Sequence, residues 1–238
     1  MKAIISDSDN VITNTWYLLT KTFLKLRKKY KTKIIAMSRK YGVMDASAPG
    51  TIEFTPENLR EGYYREFINE MKKNIEKSEK IIRSKNLEAL KKLKKHKIPL
   101  IIYTGNHQTV AESYFEKYGG LEKLGIKSVH GYREEDFRRD VGNGFSDPFN
   151  KEKIFDRLFI EEELDPKNVI LIEDGKRATI NAKEKGVKNI KGISTVGIPE
   201  TNILVPLPKI FYYTFDDIIK YNWSFDRAIN EIIKNEIF

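Results

Sequence analysis

The chain has 238 residues, with 43 Lys and Arg against 34 Asp and Glu, a formal net charge of +9. That length fits one large domain, or one domain carrying a sizeable insertion. There is no Cys, which excludes disulfides, thiolate metal sites and a thiol nucleophile.

Ala3-Ile4-Ile5 stops abruptly at Ser6-Asp7-Ser8-Asp9, which predicts a buried strand delivering carboxylates at its C-terminal end. Trp16, Leu19, Phe23, Leu26 and Tyr30 then recur on one face of a helix. Residues 41–54 read as a loop of small residues, turning at Pro49-Gly50. Thr55-Pro56-Glu57 predicts an N-cap with Pro at the first helical position, and Leu59, Tyr63, Phe67, Met71 and Ile75 continue that helix.

From residue 86 helix and strand alternate. A helix carrying Leu87, Leu90 and Leu93 leads into a strand at 99–103, and Val110 to Tyr118 is helical until Gly119-Gly120. Further strands are predicted at 126–129, 169–172, 189–190 and 210–213. Helices are predicted from Lys151 (capped by Asn150) to about Glu163, from Ala178 to Lys185, and from Phe225 to Ile237. The alternation implies a Rossmann-like α/β fold with a parallel sheet, formed by residues 1–14 and 86–222. Residues 15–85 are a helical cap inserted between the first two strands, and 223–238 are a C-terminal helix.

The apolar runs fall far short of the ~20 residues of a membrane span, and the apolar stretch after Met1-Lys2 is too short for a secretory signal. A cytoplasmic protein with no membrane contact is expected. The charge is uneven: residues 21–40 carry +9, residues 72–97 carry +8, and the rest −8. Such a surface attracts anions, from small phosphates to nucleic acid, although a solvated helix face explains it equally simply. The basic stretches show no nucleic-acid motif, and their aromatics fall at core spacing.

Ligands of open parallel sheets bind outside the C-terminal strand ends. Three such ends carry Asp7 and Asp9, then Thr104 and Gly105, then Glu173 and Asp174. Clustered oxygen ligands without Cys suit a hard cation such as Mg²⁺. With a Lys at the helix before the last of these strands, they form a phosphate-handling set.

The motif order resembles the haloacid dehalogenase-like hydrolases, in particular the phosphatase and phosphomutase branch with an inserted helical cap. Ile4-Ile5-Ser6-Asp7-Ser8-Asp9-Asn10-Val11-Ile12 is similar to the first family motif. Leu100-Ile101-Ile102-Tyr103-Thr104-Gly105-Asn106 is similar to the second, and Val169-Ile170-Leu171-Ile172-Glu173-Asp174-Gly175 to the fourth. The chain departs from the pattern in two places. No Lys-Pro precedes the helix before the fourth motif, where Phe149 stands at the usual Lys position. This leaves Lys151 as the site lysine, with Lys153 as its rival. Gly175 and Ala178 replace a usual Ser and a usual Asp or Gly.

The resemblance implies that Asp7 is the nucleophile and passes through an aspartyl-phosphate. It implies that Asp9 is the general acid and base. Mg²⁺ would lie among Asp7, the Asp9 carbonyl and Asp174, with Glu173 behind them. Thr104, the Gly105 N–H and Lys151 would hold the phosphate of a small anionic substrate. Asp9 argues against carbon–halogen chemistry, since the dehalogenases of this superfamily lack it. A phosphatase is the expectation. The alternatives are a phosphomutase with the same site, or a nucleic-acid-associated or regulatory binding protein on this fold. His107 reads as a helix-starting polar residue, and Arg39 and Lys40 as a charge pair leading into the loop.

Overall fold

Side chains alternate faces along a strand, and the apolar strands here are apolar on both faces, as in a sheet covered by helices on each side. The computed structural model describes residues 3–9, 11–32, 52, 55–143, 151–193 and 224–235. Five strands, β1 (Ala3–Asp7), β2 (Leu100–His107), β3 (Ile126–Tyr132), β4 (Val169–Glu173) and β5 (Asn189–Gly192), pair all-parallel in the order β3-β2-β1-β4-β5. The expected strand at 210–213, the Asn150 cap, and the loop with Arg39 and Lys40 lie outside the described residues.

Ile4, Ile102, Ile170 and Ile172 join the larger core cluster on one face. Ala3, Ile5, Ile101, Tyr103, Val169 and Leu171 join a second cluster on the other. The larger cluster is covered by α3 (Ser84–Lys95), α4 (Gln108–Glu116) and α9 (Phe225–Lys234), the last packed along α3 through Phe225, Ala228, Ile229 and Ile232. The second is covered by α7 (Lys151–Glu161), through Phe155 and Leu158, and by α8 (Lys176–Glu184), through Ala182. A short α5 (Leu121–Leu124) leads into β3, and α6 (Glu134–Gly142) follows it. Full burial of a large aliphatic or aromatic side chain contributes about 1.5–3 kcal/mol, so these two layers supply most of the fold's stabilisation.

Among the described residues, the insertion is built mainly of α1 (Trp16–Lys29) and α2 (Arg60–Lys77), packed on each other. Leu18, Leu19 and Leu26 of α1 meet Tyr63, Phe67 and Met71 of α2 in an apolar cluster continuous with the core. Its two connections run side by side, with Thr13 bridging to Ile82 and the Asn14 N–H donating to the Ile81 carbonyl at 2.7 Å. Lys25 and Lys29 pair with Glu70 and Glu66 of α2, so part of the basic charge of residues 21–40 is neutralised locally. The lysines around 91–97 are exposed on the outer side of α3 and beyond it, as expected.

Three expectations need correcting. Thr55 does not cap α2: its hydroxyl pairs with that of Thr32 at 2.8 Å, and a 3₁₀ turn at Glu57–Leu59 intervenes before the helix. β2 and β3 extend to His107 and Tyr132, beyond the apolar runs that announced them. The sequence showed no helix at 134–142, because Phe137 is the only apolar side chain that α6 buries.

Candidate active site

Register sets the height of the site residues. Asp7 pairs with Tyr103 and Ser6 with Ile172, so Asp7, Thr104 and Glu173 reach the same edge of the sheet. The strand order reverses between β1 and β4, and Asp7, Glu173 and Asp174 stand at that crevice. Asp7 continues the alternation of Ala3 and Ile5, and Glu173 that of Val169 and Leu171. Both therefore belong to the face covered by α7, which begins at Lys151.

The Lys151 Nζ lies 3.1 Å from Asp7 Oδ1, 3.3 Å from both carboxylate oxygens of Glu173, and 4.9 Å above the Tyr103 ring. Lys153 is exposed. Between the two candidates, it is Lys151 that the fold brings to Asp7. Glu173 is completely buried. Its Oε1 accepts the N–H groups of Asp174 and Gly175 at 3.1 and 2.8 Å. A Cβ at position 175 would stand 2.9 Å from that oxygen, so glycine leaves the Glu173 carboxylate room to fold back onto the backbone. At Gly105 an added Cβ would meet only the Lys151 stem, at an ordinary 3.6 Å.

Asp7, Glu173 and Asp174 each offer a carboxylate oxygen within 4.8 Å of the other two. Three hard oxygen donors with more negative charge than Lys151 balances fit Mg²⁺. Burial above all raises the Asp7 pKa. Lys151 opposes this, Asp174 and Asp9 add to it, and the result is pushed up to about 8. Burial, with Asp7 and Asp174 beside it, drives Glu173 well above the usual carboxylate range. These acids crowd together at a strand end where a cation is wanted.

Asp9 faces different company. Its Oδ2 accepts the Thr104 hydroxyl at 2.7 Å, and its Oδ1 accepts the hydroxyls of Thr15 at 2.6 Å and Tyr114 at 3.3 Å. Burial and the neighbouring Asp9 hold the Tyr114 phenol well above its ordinary pKa, so it remains a donor. His107 caps α4, its Nδ1 accepting the Thr109 N–H at 3.2 Å. The fold thus adds Tyr103, Asn106, Thr15 and Tyr114 to the expected residues. Tyr114 sits at a core position of an apolar helix face, and Thr15 is one polar residue in a connection. Neither carries a sequence signal.

A family model described as haloacid dehalogenase-like hydrolase matches residues 4–131. Among curated proteins, none matches the chain by sequence. The structure is similar to that of a haloacid dehalogenase-like family hydrolase from Streptococcus pneumoniae. That likeness has a TM-score of 0.59 and 16% identity over 82% of this chain and 85% of that one. It is also similar to CbbY from Rhodobacter sphaeroides, solved in complex with phosphate. Here the TM-score is 0.58 with 12% identity, covering 82% of this chain and 88% of that one. A family IA, variant 3 hydrolase from Entamoeba histolytica gives a TM-score of 0.58 and 16% identity over 82% and 85% of the two chains. Among the described residues, no helix is long and apolar enough to cross a membrane.

Proposed function

The chain belongs to the haloacid dehalogenase-like hydrolases, and we propose that it is a Mg²⁺-dependent phosphatase acting on a small phosphorylated metabolite. The observation that carries this reading is the buried Asp7, held by Lys151 and facing Glu173 and Asp174 at the strand-order reversal. CbbY, of the same fold, holds phosphate in its structure.

Asp7 attacks phosphorus, and the leaving oxygen departs with its electron pair as an aspartyl-phosphate forms. Asp9 gives that oxygen a proton and then takes one from the water that hydrolyses the acyl-phosphate. Lys151 and the Gly105 N–H bind the phosphoryl oxygens and Lys151 also keeps Asp7 oriented, while the Thr104 hydroxyl, whose one proton goes to Asp9 Oδ2, serves Asp9 beside them. Mg²⁺, held by Asp7, the Asp9 carbonyl and Asp174 with Glu173 behind them, would neutralise charge between an anionic nucleophile and an anionic substrate. The helix pair α1–α2 serves as a lid that excludes water, turning about the connections near Asn14 and Lys85. Opening would part the Tyr64 ring of α2 from Phe137 of α6, which stack at 3.9 Å.

The test is release of phosphate from an aryl phosphate by the full chain. Turnover should need Mg²⁺, stop on chelation and vanish in Asp7→Asn. Turnover that ignores the chelator, or that survives in Asp7→Asn, would overturn the reading. A panel of phosphorylated metabolites then identifies the substrate. Transfer to a sugar hydroxyl in place of water would make the enzyme a phosphomutase.

A further inference from the structure

Asn106 is 2% exposed, near the end of β2, and the resemblance assigns it nothing. The His107 N–H donates to Asn106 Oδ1 at 2.8 Å, which fixes the amide with its oxygen toward the backbone. The Asn106 NH₂ group therefore points the other way, to the Tyr114 hydroxyl at 3.0 Å. An amide NH₂ can only donate. Tyr114 must accept there, which leaves its single proton for Asp9 Oδ1 at 3.3 Å.

The same residue acts a second time through its main chain. The Asn106 N–H donates to Thr104 Oγ1 at 3.0 Å, which leaves the Thr104 proton for Asp9 Oδ2 at 2.7 Å. Two of the three hydroxyls on Asp9, one on each of its oxygens, thus have their direction set by one buried asparagine, while Thr15 donates independently to Oδ1 at 2.6 Å.

We propose that Asn106 and Tyr114 are positioning residues for Asp9, a chain of one-way hydrogen bonds that holds its carboxyl group against the β2–α4 wall in one orientation. The kinetic consequence rests on the phosphatase reading; the hydrogen-bond chain does not. Holding a reacting group in one geometry removes an orientational cost from the barrier, so loss of the chain should show where proton delivery limits the rate.

Two variants test this in the full chain with Mg²⁺. Tyr114→Phe removes the donated proton and keeps the ring. Asn106→Asp keeps the shape but offers Tyr114 a carboxylate oxygen, which draws the phenol proton away from Asp9. On an aryl phosphate with a poor leaving group, Tyr114→Phe should lose about tenfold in kcat, with KM unchanged and much less loss on a good leaving group. Asn106→Asp should show the same selectivity, and should add little in the Tyr114→Phe background.

Urea unfolding supplies a readout that needs no turnover. The midpoint shifts of Tyr114→Phe and Asp9→Ala should sum to more than the shift of the double variant. Equal kcat losses on good and poor leaving groups, or additive midpoint shifts, would overturn the proposal. A wild type that hydrolyses no aryl phosphate would sink the phosphatase reading, while the unfolding cycle would still decide the chain.

Discussion

Two acidic regions of this molecule use the same chemistry to opposite ends. Between β3 and the end of α7, Glu162, Glu161 and Asp136 each meet a basic partner. Glu162 pairs with Lys127 at 2.7 Å and His130 at 2.8 Å, Glu161 with Arg133 at 2.7 Å, and Asp136 with Arg157 at 2.8 Å. Burial works to raise the Glu162 pKa, yet hydrogen bonds from Lys127, Ser128 and His130 outweigh it and bring it down to about 2. At the crevice between β1 and β4, Asp7, Glu173 and Asp174 crowd together, with Lys151 against the first two, and Asp7 rises to about 8. Burial is common to both regions. The balance of cations to acids decides whether an acid stabilises the fold or waits for something from outside.

The sharpest way to break the comparison is Asp7→Asn. Turnover should fall on the order of 10³-fold or more, as for loss of a covalent nucleophile. Stability should move the other way in metal-free protein. A carboxyl whose pKa rises from 3.8 to about 8 on folding binds more protons folded than unfolded. Stability then falls as pH climbs through that window. Urea unfolding in chelator should show this decline in the wild type and a flatter profile in Asp7→Asn. A wild type that gains stability from pH 5 to 8 while Asp7→Asn does not would contradict the crowding.

Lys151→Met removes the cation that the crowded acids share. It should cost about 100-fold in kcat/KM, comparable to losing one preorganised charge donor. Lys153→Met, at the exposed neighbour, should stay within about twofold, as surface changes do. Matching losses in the two variants would return the assignment to its rival.

Glu162→Gln tests the balanced region. It should lower stability by about 2 kcal/mol, since it disrupts a hydrogen-bonded charge beside buried His130, and should leave turnover alone. Its sign is opposite to that of Asp7. A carboxyl depressed from 4.5 to about 2 stabilises the fold above its unfolded value and loses that contribution as pH falls. Acid unfolding curves of wild type and variant should therefore converge toward pH 2.

The smallest effect is Tyr103→Phe. Among the described residues the Tyr103 hydroxyl is buried without a hydrogen-bond partner, so its removal should raise stability by about 1 kcal/mol. The ring beneath Lys151 remains, and kcat should hold within about twofold. A large loss of activity would show that the hydroxyl, and not the ring face, serves the lysine.

The carboxylates and Thr104 that the resemblance placed at the site were legible because a strand end leaves a local signature. Asp7 and Asp9 follow an apolar run, Thr104 follows another, and Glu173 and Asp174 follow a third. The α6 helix left no such trace. Its buried Asp136 and Asp140 are satisfied by Arg157 and Tyr132 from other elements, so its inward face is polar and shows no apolar period. The extension of β2 was hidden for the same reason, since Asn106 is buried through the partners described above.

By itself, then, the sequence determined the alternating α/β pattern, the residues at three strand ends, and the family they resemble, because strand burial and strand ends are written in consecutive residues. The tertiary structure decided which face each carboxylate serves, that Lys151 and not Lys153 reaches Asp7, and that Asn106 directs two hydroxyls onto Asp9. Strand register and helix docking set those relations between residues as far apart in the chain as Asp7 and Lys151, and no local pattern encodes a contact across such a distance.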